Sequence, residues 1–210
     1  MSDKSKFYGK YRGTVINNID PMQIGRLQVQ VADVAGLIPG SWAMPCLPVA
    51  AKQAGIYAIP QIGAGVWVEF EHGDPDYPIW VGGFWGSAAE VPALALAGLP
   101  VSPSIVLQTG GQNTLMISDV PGPAGGLLLK STTGAMISIS EIGITLQTPL
   151  KNGLVISDVP GPTGGILIQT AAGAMISVSD VGIVISNGQG AIINMVGPTV
   201  DVNAGALTVV

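Results

Sequence analysis

The side chains best equipped for chemistry crowd one short stretch, EFEHGDPD, where Glu69, Glu71, Asp74 and Asp76 surround the only histidine, His72. Carboxylates beside an imidazole can bind a divalent cation or move protons. A calcium site needs oxygen ligands converging from one rigid loop, and this run lacks the calcium-loop spacing. It reads as a solvated hairpin, with His72 a turn residue. The remaining acids, Asp119, Glu141, Asp158, Asp180 and Asp201, are spread along the second half. Glycoside cleavage needs two carboxylates brought together. Here Asp119 and Asp158 are equivalents in an internal repeat, and Asp in such a place caps turns. Cys46 is the only cysteine, which excludes an intrachain disulfide and a multi-cysteine metal site. It reads as a small buried apolar residue. No catalytic, metal or cofactor site is expected.

The elements that carry these residues fall into two halves. All eleven aromatic residues lie between Phe7 and Trp85. The change in composition places a boundary in SAAEVPALALAGLPVSPS, giving residues 1–86, a linker at 87–104 and residues 105–210. The stretch from Val91 to Gln108 carries no charge, but Pro92, Pro100 and Pro103 exclude a membrane-spanning helix.

In the first half, YRGTVINNI, GRLQVQVADV, GVWVEFEHG and YPIWVGGFWG alternate or carry β-branched and aromatic residues. Asp20-Pro21 and Gly73-Asp74-Pro75 are turns between them. Five or so short strands predict an OB-type or related Greek-key barrel. Trp42, Trp67, Phe70 and Trp80 then belong to its core or rim.

The second half repeats itself: NTLMISDVPGPAGGLLLKSTTGAMISISEIGITLQT recurs 39 residues on as NGLVISDVPGPTGGILIQTAAGAMISVSDVGIVISN. Such a unit stacks on its neighbour because one copy cannot bury its own apolar face. The pattern has a period of two: Ile137 and Ile139 alternate with Ser138 and Ser140. Twelve short segments, from IVLQ to LTV, predict a β-helix or β-prism with an aliphatic face inward and a Ser, Thr, Gln and Gly face outward. The interior is slim, and three chains supplying one wall each close it best, giving an intertwined trimer about 55 Å long.

Composition agrees with an obligate oligomer. Only 10% of residues are charged while 48% are apolar, too little polar cover for a lone monomer. A net charge of −5 leaves no cationic surface for a phosphate backbone, so nucleic acid is not an expected partner. The start, MSDKSKFYGKYRG, lacks the apolar core of a secretory signal, so assembly in the cytoplasm is expected.

One resemblance fits both halves. FYGKYRGTVINNIDPMQIGRLQVQV, SWAMPCLPVA and IPQIGAGVWVEFEHGDPDYPIWVGGFWG resemble the OB domain of phage baseplate assembly protein V and of type VI secretion spike (VgrG) proteins. The pieces that carry it are Asp20-Pro21 to Gly25-Arg26, Trp42-Ala43, Gly63 to Val68, and Gly73-Asp74 to Pro78 leading to Gly82-Gly83. The resemblance implies a homotrimeric central spike that pierces a target envelope, non-enzymatic, touching the target membrane only transiently. It implies a separate hub protein of the tail tube and other baseplate proteins as partners. No lysozyme-like segment is expected between the halves, and no tube-adaptor domain is expected before the barrel. The last residues carry no His-x-His, so an iron-bound tip is not expected. Leu207, Thr208, Val209 and Val210 are instead the expected dock for a PAAR-type tip protein. A trimeric receptor-binding fibre or adhesin is the alternative, and a single-chain β-helix enzyme acting on polysaccharide is a more distant one.

Overall fold

The computed structural model describes residues 5–34, 41–98, 102 and 104–209. Pro100, Pro103 and Val210 lie outside the described residues. The chain divides into two compact units, Met1–Val91 and Pro92–Val210.

In the first unit, β1 (Tyr11–Asn17), β2 (Leu27–Val31), β3 (Trp42–Pro45), β6 (Gly65–Phe70) and β7 (Pro78–Phe84) close a barrel in the order β1-β2-β3-β7-β6. The alternation read from the sequence sets what faces inward. Leu27, Val29 and Val31 are buried while Gln28 and Gln30 turn outward, and Val66, Val68 and Phe70 are buried while Trp67 and Glu69 are not. Ala43 and Trp80 complete the core. Trp42 and Trp67, next to the inward Ala43, Val66 and Val68, are half-buried on the outward face of the wall. All neighbours run antiparallel except β3 and β7, which pair in parallel. A small separate hairpin, β4 (Ala50–Ala51) with β5 (Ala54–Gly55), projects between β3 and β6.

The second unit opens with a single helical turn, α1 (Ala93–Leu96). Twelve strands follow: β8 (Ile105–Gln108), β9 (Thr114–Ser118), β10 (Gly126–Lys130), β11 (Met136–Ser140), β12 (Gly143–Gln147) and β13 (Gly153–Ser157). The rest are β14 (Gly165–Gln169), β15 (Met175–Val178), β16 (Ile183–Ser186), β17 (Ile192–Val196), β18 (Thr199–Val202) and β19 (Leu207–Val209). They form one sheet in strict sequence order, every neighbour antiparallel. The twelve segments predicted from the sequence are these twelve strands. The ladder runs between strands of one chain, so cohesion between copies must come from side chains on the sheet faces. Each 39-residue repeat is four strands, β9 to β12 and then β13 to β16.

Glycine pairs make the tighter turns possible. Gly126 and Gly165 stand at φ +81° and +82°, and a Cβ on the preceding Gly125 or Gly164 would lie 1.6 Å from the carbonyl oxygen of Val120 or Val159. No other residue fits there, which explains why GPAGG recurs as GPTGG.

Candidate functional site

The feature that most needs explaining is one face of the twelve-stranded sheet. Residues directly opposite across each pair of strands form two unbroken aliphatic columns. The first is Ile105, Ile117, Leu127, Ile139, Ile144, Ile156, Ile166, Val178, Ile183, Met195 and Val200. The second is Leu107, Leu115, Leu129, Ile137, Leu146, Leu154, Ile168, Ile176, Ile185, Ile193, Val202 and Leu207. Because strand side chains alternate, two aliphatic residues per strand at fixed register suffice to build both. No polar residue interrupts either column.

In a single chain these side chains meet water. Ile105 and Leu107 are each 64% exposed, and Ile144, in mid-sheet, is 36% exposed. An open groove of about 1070 Å³ runs along the second column from Leu107 to Ile168, bordered by Asn113, Ser131, Thr148 and Thr170. Burying such a side chain is worth about 1.5–3 kcal/mol, so a face of this length favours association strongly.

The opposite face is less polar than its composition suggests. Its middle column includes Val106, Met116, Leu128, Val155, Leu167 and Val184 among Ser138, Thr145, Ser177 and Asn194. Segments such as LMIS, LLLK and LVIS carry apolar residues in succession, which puts some on both faces. Near the start of the sheet Met116 is buried in a pocket of about 360 Å³ that Leu94 and Ala97, from α1 and the residue after it, also line.

Turn residues hold the strands at a constant offset. Asn113 Oδ1 accepts from the amide of Thr132 at 3.2 Å, and its repeat equivalent Asn152 accepts from Ala171 at 3.0 Å. The amides of both asparagines donate to a threonine hydroxyl four residues earlier, Thr109 or Thr148, at 3.2 Å. The repeat in the sequence showed that these asparagines are equivalent but not what they bind. The turns assigned to Asp119 and Asp158 are held by the serines before them: Ser118 Oγ accepts from Val120 at 3.4 Å and Ser157 Oγ from Val159 at 3.3 Å. Glu141 Oε2 accepts from Gly122 at 2.7 Å.

The chemistry-bearing residues of the barrel do not converge on a reaction centre. Glu71 and His72 lie in a short 3₁₀ turn, with His72 at φ +52°, ψ +24°. Lys10 donates to Glu69 in an exposed ion pair. Asp74 makes a turn, its Oδ1 accepting from Asp76 at 3.1 Å. Among the described residues no cluster of three His, Cys, Asp or Glu could hold a metal ion. Cys46, expected to be buried, is exposed on the chain. It follows the last residue of β3, where the chain leaves the barrel wall, and its amide donates to Trp80 O at 2.9 Å.

One polar cluster in the barrel is well built. Asp20, almost fully buried, accepts from the amides of Met22, Ile24 and Arg26 at 3.0–3.1 Å and from the Arg26 guanidinium. The guanidinium, helped by those amides and opposed by burial, holds the Asp20 carboxyl far below the usual carboxylate range. Arg26 also lies over the Trp42 ring, 5.3 Å from its centroid, and Trp80 Nε1 donates to Gly25 O at 3.0 Å. The Asp20 to Arg26 hairpin is therefore fastened to β3 and β7. Its role is to hold the barrel together.

Comparison with known proteins assigns each unit. Residues 11–85 match the type VI secretion system/phage-baseplate injector OB domain. Residues 104–148 and 144–208 match the phage baseplate V C-terminal trimerisation domain, the second match beginning close to where the second repeat does. Among curated proteins none matches the chain. Barrel and repeat sheet thus carry the two domains expected of one kind of molecule, a structural component of an injection particle that associates in threes, and the chain belongs to the phage baseplate V family.

Proposed function

We propose that this protein is the central spike of a contractile phage tail or phage-tail-like injection system, a homotrimer that punctures the target envelope mechanically. The observation that carries the proposal is the pair of uninterrupted aliphatic columns, exposed in one chain, on the unit that matches a trimerisation domain. Three such faces turned toward a common axis form a dry core twelve strands long, roughly 55 Å. Three walls packed in this way, each laddered within its own chain rather than intertwined strand by strand with the others, make a stiff and slender shaft.

In this reading residues 1–86 are the hub-facing barrel, 87–104 a linker and 105–210 the shaft. The trimer attaches below the tail-tube hub, is assembled in the producing cell, and performs no catalysis. Leu207, Thr208, Val209 and Val210 form the end to which a PAAR-type tip protein binds. Supporting that assignment, β19 stands at one end of the strand order and, among the described residues, pairs only with β18. An open strand edge is a template for another chain.

The test is the mass of the purified full-length chain by light scattering, with negative-stain imaging. A species of about three times the 21.3 kDa chain mass, showing a slender shaft, supports the spike. A soluble monomer overturns it.

A further inference from the structure

The side-chain charges of the shaft are sorted by edge. After residue 104 they are Asp119, Glu141, Lys130, Lys151, Asp158, Asp180 and Asp201. In an antiparallel meander successive turns fall on alternate edges of the sheet, so topology assigns each residue. Asp119 lies in the turn from β9 to β10, Glu141 from β11 to β12, Asp158 from β13 to β14 and Asp180 from β15 to β16. All four share one edge. Lys151 lies in the turn from β12 to β13, and Lys130 is the last residue of β10 before the turn to β11. Both belong to the other edge, roughly 17 Å away across a five-residue strand. Asp201 stands in mid-strand, away from both edges, its Oδ1 accepting from the Gly205 amide at 2.7 Å. All six edge residues are exposed, and among the described residues none forms an ion pair within its own chain.

We propose that these edges form the corners of the trimer, the acidic edge of each copy meeting the lysine edge of the next. This rests on the trimer reading above. In a cyclic trimer with all walls pointing the same way, unlike edges must meet at every corner, and the ring closes after three. In an antiparallel two-fold pairing, with the axis perpendicular to the direction in which the strands stack, like edges meet, which sets acids against acids. The charge pattern thus favours the parallel closed ring and opposes the antiparallel dimer that the same aliphatic face would allow. The vertical spacing fits. Lys151 sits one strand spacing from the level of Glu141 on one side and from that of Asp158 on the other. Strands tilted so that the two edges of a wall differ in height by one strand, in either sense, bring Lys151 to a carboxylate at the corner and bring Lys130 to within about half a strand of Asp119 or Glu141, and the ring still closes. The sense of the tilt chooses the partners.

The test places cysteines at the edges of the full-length chain with Cys46→Ser as background. Lys151→Cys is combined with Glu141→Cys or with Asp158→Cys, treated with a short bismaleimide and run on a denaturing gel. One of the two combinations should give covalent dimers and trimers, and Lys151→Cys alone should give none. Cross-links from Lys151→Cys alone, or none from either combination in a protein of trimeric mass, overturn the edge assignment and leave the trimer standing. A monomeric parent overturns both.

Discussion

Arg26 places both its Nε, at 3.0 Å, and its Nη2, at 2.7 Å, on the same carboxylate oxygen of Asp20. The Met22 amide donates to that oxygen as well, and the amides of Ile24 and Arg26 to the other, so five donors depend on the negative charge of the carboxylate. The folded-state pKa of Asp20 is depressed, so its stabilisation is fully present above the ordinary carboxylate value of about 4 and is lost as pH falls below it. Asp20→Asn should lower the unfolding midpoint of the barrel at neutral pH and reduce its acid dependence below about pH 4. Tryptophan fluorescence followed against denaturant at several pH values checks this, because every tryptophan lies in the barrel.

Ile144 faces Ile156 across β12 and β13, the junction of the two repeats. A carboxylate there would be buried unpaired at a three-fold interface, at several kcal/mol per copy. Ile144→Glu should abolish the trimer by light scattering. Its neighbour Thr145 points to the opposite face, and Thr145→Glu should leave the mass unchanged.

Gly125 and Gly122 belong to the same loop but differ in what surrounds them. A Cβ at Gly122, at φ +81°, meets nothing within 4 Å, whereas one at Gly125 lies 1.6 Å from a carbonyl oxygen. Gly122→Ala should cost only the left-handed conformation, about 1–2 kcal/mol. Gly125→Ala should cost more than about 4 kcal/mol or prevent folding of the shaft. Thermal unfolding of the two variants compares them directly.

The repeat defines a removable unit. Deleting residues 114–152 joins Asn113 to Gly153 and sets Leu107 opposite Leu154, the repeat equivalent of Leu115. The shaft should remain trimeric and be about 19 Å shorter by electron microscopy, four strand spacings. Deleting residues 114–151 is out of phase by one residue and should abolish assembly, because a one-residue shift exchanges the faces of a strand.

The shaft was largely legible in the sequence because its information is local. A period of two with turn signals located all twelve strands, and the 39-residue repeat implied stacking. What escaped depends on topology. The opposing edges of Lys151 and Asp158 emerge only when strand directions are counted through the meander. The barrel was legible in its long strands, but β3 pairs with β7 in parallel from far along the chain, and β4 and β5, built from Ala and Gly, offer no pattern to read. Cys46 escaped for a related reason: residue type favours the interior, while its place just past the end of β3 puts it outside.

The strict sequence order of the sheet governs how it forms. Among the described residues every strand from β8 to β19 pairs only with its immediate neighbours in the chain, so each step closes a short loop at low entropic cost. Large β proteins fold slowly mainly because their pairings are distant in sequence. This wall avoids that delay: it can begin at any hairpin and zip outward in both directions. The slow step in making the mature particle is then the meeting of three chains, and its rate should rise with protein concentration.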